Sequence, residues 1–453
     1  MSDKKLQKVP FKKNKAFCIA PWTHTYISPQ SERRLCCASR EKHSFIHQYI
    51  DQDGESGGEY NPVSLKEHWN GDFLKSIRKQ MLEGQVPKEC QVCHEQVLNL
   101  HTYQNYFNKT MFPDRIKEAY EKTDDTGYTT MEPISFDYRF TNLCDFKCRM
   151  CGAQLSSSWE SENQKHKKDE GGVELWMEPG IRKKIKSFQK DVVEAEFMEA
   201  VDSGRLREIY WVGGEPLIWP IHWKSMAQLI EQGDAKDIFV RYNSNLGTIE
   251  RAGTRLFQDI LPHFKDFNMC ASLDGVGKIG EFIRTGLKWE TFKSNFEEGL
   301  KICDPKKTDQ MVMDLTITLP GLFSLKEYID QAHQWDVKVY AKIIFDFDPS
   351  VVLSPFALPR DIFNEVIDDL ISYCENKVNK KTLVIVETLK EMRKRPVFEE
   401  KYPDTWKAGF ISGRTHQDYL AKIRKDGEGG RLTLESIYQE NSKVLNWWKQ
   451  DLL

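Results

Sequence analysis

Three cysteines share one short stretch, Thr141-Asn142-Leu143-Cys144-Asp145-Phe146-Lys147-Cys148-Arg149-Met150-Cys151, separated by three and then two residues. Thiolates so spaced can wrap one side of an iron-sulfur cluster, yet they supply three ligands where a closed cluster takes four. A metal position without a protein ligand can bind and activate something else. A second group, Cys18, Cys36, Cys37, Cys90 and Cys93, lies upstream. The pair in Cys90-Gln91-Val92-Cys93 with two distant cysteines suits either a four-thiolate structural zinc or a fully ligated 4Fe-4S cluster, and spacing does not separate the two. Cys270, Cys303 and Cys374 stand singly and read as buried small hydrophobes.

The chain that must position these groups has 453 residues, too many for one ordinary core, so two or three domains are expected unless a barrel takes much of the length. Apolar residues make 40% and charged residues 29%, the balance of a soluble globular protein. The net charge of -3 creates no global field for nucleic acid or an anionic membrane. Lysines crowd residues 1–15 and read as a solvated basic tail, with nucleic-acid contact as the alternative. No secretory-type apolar run follows, and none is long enough to span a bilayer. A cytoplasmic protein without membrane or nucleic-acid partners is expected. Eleven cysteines there point to metal or redox chemistry before disulfides.

Between 130 and 350, strand-like and helix-like runs alternate. Strands are expected at 134–140, 208–212, 237–242, 267–273, 311–318 and 337–345, and helices at 223–232, 251–264, 291–303 and 325–335. The repetition argues a parallel sheet in an α/β fold. Six such units make a partial (β/α)6 TIM-like barrel, with ligands at the C-terminal ends of its strands. An insertion at about 156–205 carries a helix at 181–201. Ahead of the barrel, residues 16–105 form a small cysteine-rich domain with a Gly-rich loop at 51–60 and helices near 64–69 and 72–82, followed by a linker at 106–129. Residues 351–453 form a mainly helical C-terminal segment, with helices at 360–376, 383–392 and 432–448. Trp447 and Trp448 read as core. Asp346 and Asp348 read as a solvated loop.

The second strand leads into Trp211-Val212-Gly213-Gly214-Glu215-Pro216, where two glycines allow close backbone approach to a bound group. With the cysteine loop, this turn resembles the radical SAM superfamily, whose motifs are Cys-x-x-x-Cys-x-x-Cys and Gly-Gly-Glu. The aromatic often found before the third cysteine is Met150 here. Residues 16–105 are similar to the SPASM and twitch auxiliary-cluster domains of that superfamily. Cys18 ahead of Pro21-Trp22, the Cys36-Cys37 pair, Leu65 to Trp69-Asn70, Phe73 to Arg78, and Pro87 to Cys93 carry this likeness. There the domain usually follows the barrel; here it precedes it.

The resemblance implies that Cys144, Cys148 and Cys151 hold three irons of a 4Fe-4S cluster, while S-adenosyl-L-methionine chelates the fourth. One electron then breaks the sulfonium C–S bond, and the resulting 5'-deoxyadenosyl radical abstracts hydrogen from a substrate. Gly213, Gly214 and Glu215 would meet the cofactor, with Glu215 accepting from its ammonium. Asn245, Ser272 and Asp274 are further contacts, and Arg284 resembles the arginine paired with the cofactor carboxylate. Thr316 and Thr318 could contact adenine. Local capping explains each of these polar residues singly. No catalytic residue is singled out. One auxiliary 4Fe-4S cluster, with zinc as the alternative, would use Cys18, Cys90, Cys93 and one of Cys36 or Cys37, whose adjacent side chains diverge. The implied partners are an electron donor such as flavodoxin or ferredoxin and a peptide or protein substrate. A nucleotide, sugar or other small molecule is the second choice. A zinc-stabilised, non-enzymatic binding or scaffold protein is the competing class.

Overall fold

The computed structural model describes residues 5–39, 60–95, 102–166, 175–344 and 346–450. The Gly-rich loop expected at 51–60 lies outside them except for Tyr60, as does Phe345. The chain forms two compact units: Met1–Leu143 with Glu160–Arg241 and His263–Phe267, and Cys144–Trp159 with Tyr242–Pro262 and Asn268–Leu453. No helix among the described residues is long and apolar enough to cross a membrane.

In the first unit the strand His24–Ile27 pairs antiparallel with Arg33–Arg34 and parallel with Ser135–Tyr138, which pairs parallel with Glu208–Trp211. On one face of these strands Ile27, Phe136, Tyr138, Ile209 and Trp211 stand at alternate positions and are buried, as a pleated surface favours. Phe140, just past the strand, packs on Phe197 at 5.2 Å, Trp211 at 5.9 Å and Trp219 at 6.1 Å between ring centroids. Such pairs contribute about 0.5–1.5 kcal/mol each beyond area burial. The helix expected at 181–201 runs from Pro179 to Asp202, with a widened turn at Gln189–Val193.

The cysteine-rich region is knitted by the residues that carried its likeness to a family. Arg78 donates from Nε to the Pro21 carbonyl at 2.9 Å and from Nη1 to Asn70 Oδ1 at 2.9 Å. Its guanidinium carbon lies 4.8 Å over Trp69. Ser64 and Glu67 close a capping box on the helix Leu65–Trp69. In residues 5–15, read above as a solvated tail, Lys5, Lys12, Lys13 and Lys15 are exposed, while Leu6, Lys8 and Asn14 fasten the stretch down. Lys8 donates to the carbonyls of Tyr120 and Thr123, both at 2.6 Å, where the end of the helix Ile116–Glu121 leaves acceptors that favour a cation.

In the second unit Asp266–Ser272, Met311–Ile317 and Lys338–Ile343 pair parallel, with Met311 opposite Met269 and Val312 opposite Lys338. The helices Trp289–Leu300 and Leu325–Gln334 separate these strands in sequence, as parallel pairing requires. Residues 251–255 depart from the helix expected at 251–264, whereas Leu256–Ile260 and Leu261–His263 do form helical turns. Glu250–Arg251 and Thr254–Arg255 form a hairpin across Ala252-Gly253, with φ of 50° and 83°. Positive φ at both central residues gives the turn whose twist suits a two-residue hairpin. A helix absent from the sequence reading, Trp406–Arg424, spans a stretch whose glycines argue against one. The helix expected at 432–448 is two, Leu434–Tyr438 and Ser442–Lys449, the second capped by Asn441.

Three histidines of the first unit are buried, and each makes its packing depend on pH. Burial lowers His24, His68 and His222 to about 3; Arg241 and Arg139 add to this at His24, and Arg33 and Arg78 at His68. All three stay neutral in the folded chain, while the unfolded chain takes up protons near pH 6.5. Their contribution is therefore complete above about pH 6.5 and declines as pH falls, by up to about 1.4 kcal/mol per pH unit for each histidine. The melting temperature should drop between about pH 6.5 and 5.5, and His222→Leu should flatten that drop by about a third, having removed one proton of three. Parallel curves for the variant and the native chain would contradict this.

Candidate functional site

The turn after Glu208–Trp211 requires its glycines. Gly213 and Gly214 have φ of 91° and 54°. A Cβ on Gly214 would lie 2.4 Å from the Leu143 carbonyl oxygen, and one on Gly213 would lie 3.0 Å from the Arg139 side chain. The Glu215 N–H donates to that same Leu143 carbonyl at 2.8 Å, and Trp219 Nε1 donates to it at 3.1 Å. Since Leu143 is bonded to Cys144, the turn is fastened one peptide bond from the first cysteine. The Glu215 residue is 1% exposed, and its carboxylate accepts from the Leu217 N–H at 3.1 Å. One residue further back, Asn142 donates to Glu160 and accepts from Arg182, both at 2.8 Å, and Arg182 and Glu160 pair at 2.9 Å.

Within the second unit, the backbone of Cys144 is held at both ends: its N–H donates to Ser157 Oγ at 3.2 Å, and its carbonyl accepts from Ser158 Oγ at 2.8 Å. Lys147–Cys148 forms a two-residue ladder with Arg284–Thr285, with Cys148 opposite Arg284. The Arg284 guanidinium stands 4.0 Å from Cys148 Sγ and pairs through Nε with the buried Asp274 at 2.5 Å. Asp274 also accepts from the Thr316 N–H at 2.8 Å. Burial works against the Arg284 charge, but Asp274 and Cys148 outweigh it and raise its pKa. Burial pushes the Cys148 thiol up to about 12 although Arg284 pulls it back, and burial raises Cys151 as well.

The remaining expected contacts are placed more locally. Asn245 donates to Asp145 of the cysteine loop at 2.9 Å and accepts from the Gly247 N–H at 2.7 Å. Ser272 ends its strand. Thr318 Oγ1 caps Gly321 at 3.1 Å. Asp346 pairs with Arg395 at 3.4 Å and Lys401 at 3.8 Å. His222 and Trp223 are buried in the helix Pro220–Gln232. Arg284, paired with Asp274, thus stands beside Cys148, and Asn245 holds Asp145 of the same loop. Cys270 and Cys374 are buried, and Cys303 is half-buried.

The upstream thiols sort themselves. Cys18, Cys36, Cys90 and Cys93 line one recess with Ala16, Leu35 and Phe107; Cys37 does not. Burial raises Cys18 to about 12, with Cys93 adding to it, and raises Cys36 and Cys90 further, with other thiols as their neighbours. Burial also raises Cys37, to about 11, but its neighbours are Asp137, Arg139, Tyr103 and Arg241. The adjacent pair therefore diverges, with Cys36 turned toward the other three. A buried thiolate set without a cation is costly, and a metal is what would make it favourable. Among the described residues, no three His, Cys, Asp or Glu side chains are grouped as for a single ion.

A polar network on the strands was not singled out from the sequence. His24 Nδ1 and Ser135 Oγ lie 2.7 Å apart, and Ser135 donates to Glu208 Oε2 at 2.6 Å. The Tyr106 hydroxyl donates to Glu208 Oε1, and Arg241 reaches that oxygen at 3.2 Å. The Arg241 guanidinium carbon lies 4.0 Å over Tyr210 and 4.5 Å over Tyr106. Asp137 and Arg139 pair at 3.1 Å beside it. The signal was present as polar residues at alternate strand positions, 135-137-139 and 208-210, which share one face.

No protein-family model matches the chain, and no curated protein matches it. Among solved structures it is similar to Streptococcus suis SuiB bound to precursor peptide SuiA, at 12% identity over 68% of this chain and 63% of that one, with a TM-score of 0.32. The chain thus spans less than two thirds of that protein's length, and a likeness of this degree identifies no function.

The divergence of the cysteine pair is directly testable. Cys36→Ser should lose the metal bound by the upstream thiols, while Cys37→Ser should keep it, as metal per chain measured on the triple Ala variant of Cys144, Cys148 and Cys151 would show. Equal loss in both variants would contradict the assignment. Gly214→Ala forces both a left-handed φ and a clash with Leu143, and should destabilise the chain by more than about 1–2 kcal/mol in denaturant unfolding.

Proposed function

We propose that the chain is a radical SAM-type enzyme with one auxiliary iron-sulfur cluster. The observation that carries the reading is the fastening of the Gly-Gly-Glu turn to the carbonyl one residue ahead of the three-cysteine loop. Cys144, Cys148 and Cys151 would hold the open 4Fe-4S cluster, and Cys18, Cys36, Cys90 and Cys93 the auxiliary one. Each thiol of a cluster meets a different iron, so its sulfurs stand further apart than the roughly 3.8 Å that a tetrahedral zinc imposes at its usual Zn–S length of about 2.3 Å.

When bound, the open cluster and S-adenosylmethionine supply one-electron cleavage of the sulfonium bond and removal of hydrogen from substrate. The chain's own part is positioning. Glu215 would offer its buried carboxylate to an ammonium, and the left-handed glycines before it seat the turn against the Arg139 side chain and the Leu143 carbonyl. Arg284, oriented by Asp274, puts a permanent positive charge beside Cys148 and favours its thiolate. Asn245 keeps Asp145 in place. A peptide or protein is the substrate class we assign, on the likeness of residues 16–105 to auxiliary-cluster domains.

Anaerobic loading with iron and sulfide, followed by dithionite and S-adenosylmethionine, should release 5'-deoxyadenosine. Changing Cys144, Cys148 and Cys151 together to Ala should abolish that release. A loaded cluster that yields no product would sink the reading, and zinc in place of iron and sulfide would favour a binding or scaffold protein.

A further inference from the structure

The cysteine loop is held from the far end of the sequence. Arg149, between the second and third cysteines, is 6% exposed. Its N–H donates to the Ile283 carbonyl at 2.8 Å, and its Nε donates to the Phe282 carbonyl at 3.2 Å. Nη1 donates to Gln417 Oε1 at 3.1 Å, and Nη2 pairs with Asp426. The guanidinium carbon lies 4.1 Å over the Phe282 ring. Gln417 belongs to the helix Trp406–Arg424, and Lys425, with φ of 55°, turns the chain so that Asp426 comes back to Arg149.

Arg424, at the end of that helix, donates to the Lys147 carbonyl at 3.0 Å and to Thr285 Oγ1 at 3.3 Å. It lies 4.4 Å over Trp159, whose indole donates to the Cys148 carbonyl at 2.8 Å. Three successive residues, Lys147, Cys148 and Arg149, are thus gripped by a single assembly. The helix itself is seated by close approach: a Cβ on Gly409 would lie 2.7 Å from Pro349, and one on Gly413 would lie 2.2 Å from the Ser350 carbonyl oxygen.

We infer that Arg149, Trp159, Gln417, Arg424 and Asp426 are positioning residues of the open cluster, so that the C-terminal helix is part of its site. The inference rests on the function proposed above. Outer partners of metal ligands fix their orientation and tune the metal. Asp426 also balances the Arg149 charge; without it, a buried positive charge next to Cys148 favours the more negative, reduced cluster.

The test uses the full chain, loaded anaerobically to roughly eight irons, two clusters of four. In Asp426→Asn, a chelator should strip the open cluster about 10–100-fold faster than in the native chain. Its reduction potential, followed by EPR, should move positive. The auxiliary cluster, recognised from the triple Ala variant, should keep its native rate and potential. Trp159→Phe removes one donor and little volume, and should speed the same loss without moving the potential upward. Lys443→Ala, at an exposed pair with Glu365 on the same segment, should change neither. Native stripping rates in both Asp426→Asn and Trp159→Phe would overturn the inference while leaving the proposed function intact. A native chain that takes up only the auxiliary cluster would overturn both.

Discussion

One carbonyl oxygen, that of Leu143, organises the candidate site. It accepts the Glu215 N–H and the Trp219 indole, and it stands where Gly214 has no side chain. Each bond contributes about 1 kcal/mol net, but a buried donor left without its acceptor costs about 1–3 kcal/mol. The arrangement is therefore steeply selected against displacement. It also depends on what lies behind it. Trp219 is held by Phe140, which packs on Phe197 and Trp211, so the aromatic face of the strands supports the Leu143 carbonyl through one indole.

The two thiol groups live in different electrostatic surroundings. Cys148 and Cys151 share their neighbourhood with Arg284, which favours thiolates even before a metal arrives. The charged neighbours of Cys18, Cys36 and Cys90 are other thiols and Glu89, all of which disfavour them. Burial nonetheless dominates in both groups and raises Cys148 and Cys18 alike to about 12.

Much of this was legible in the sequence, for identifiable reasons. The strands at 208–211, 266–272, 311–317 and 338–343 showed as apolar runs broken by helical ones. The cysteine spacing and the paired glycines are local, and local patterns survive translation into structure. The choice between Cys36 and Cys37 was not legible, because it depends on which way one turn faces. The hairpin at Glu250–Arg255 was missed because Ala252 adopts a φ that its residue type does not advertise. The helix Trp406–Arg424 was missed because Gly409 and Gly413 lower helix propensity, although they serve close packing. The partners of Arg149 were invisible because they lie 268 and 277 residues away.

That last separation bears on how the protein is made. At a synthesis rate of about 5–20 residues per second, roughly 15 to 55 s pass between the emergence of Arg149 and that of Asp426. Throughout that interval the nascent loop has its three thiols but not the helix that grips it. A buried arginine without its carboxylate has no reason to adopt the final geometry. The grip on Lys147, Cys148 and Arg149 therefore forms only once the helix Trp406–Arg424 and Asp426 have been made. Cys18, Cys36, Cys90 and Cys93 all lie in the first hundred residues and are made long before that helix.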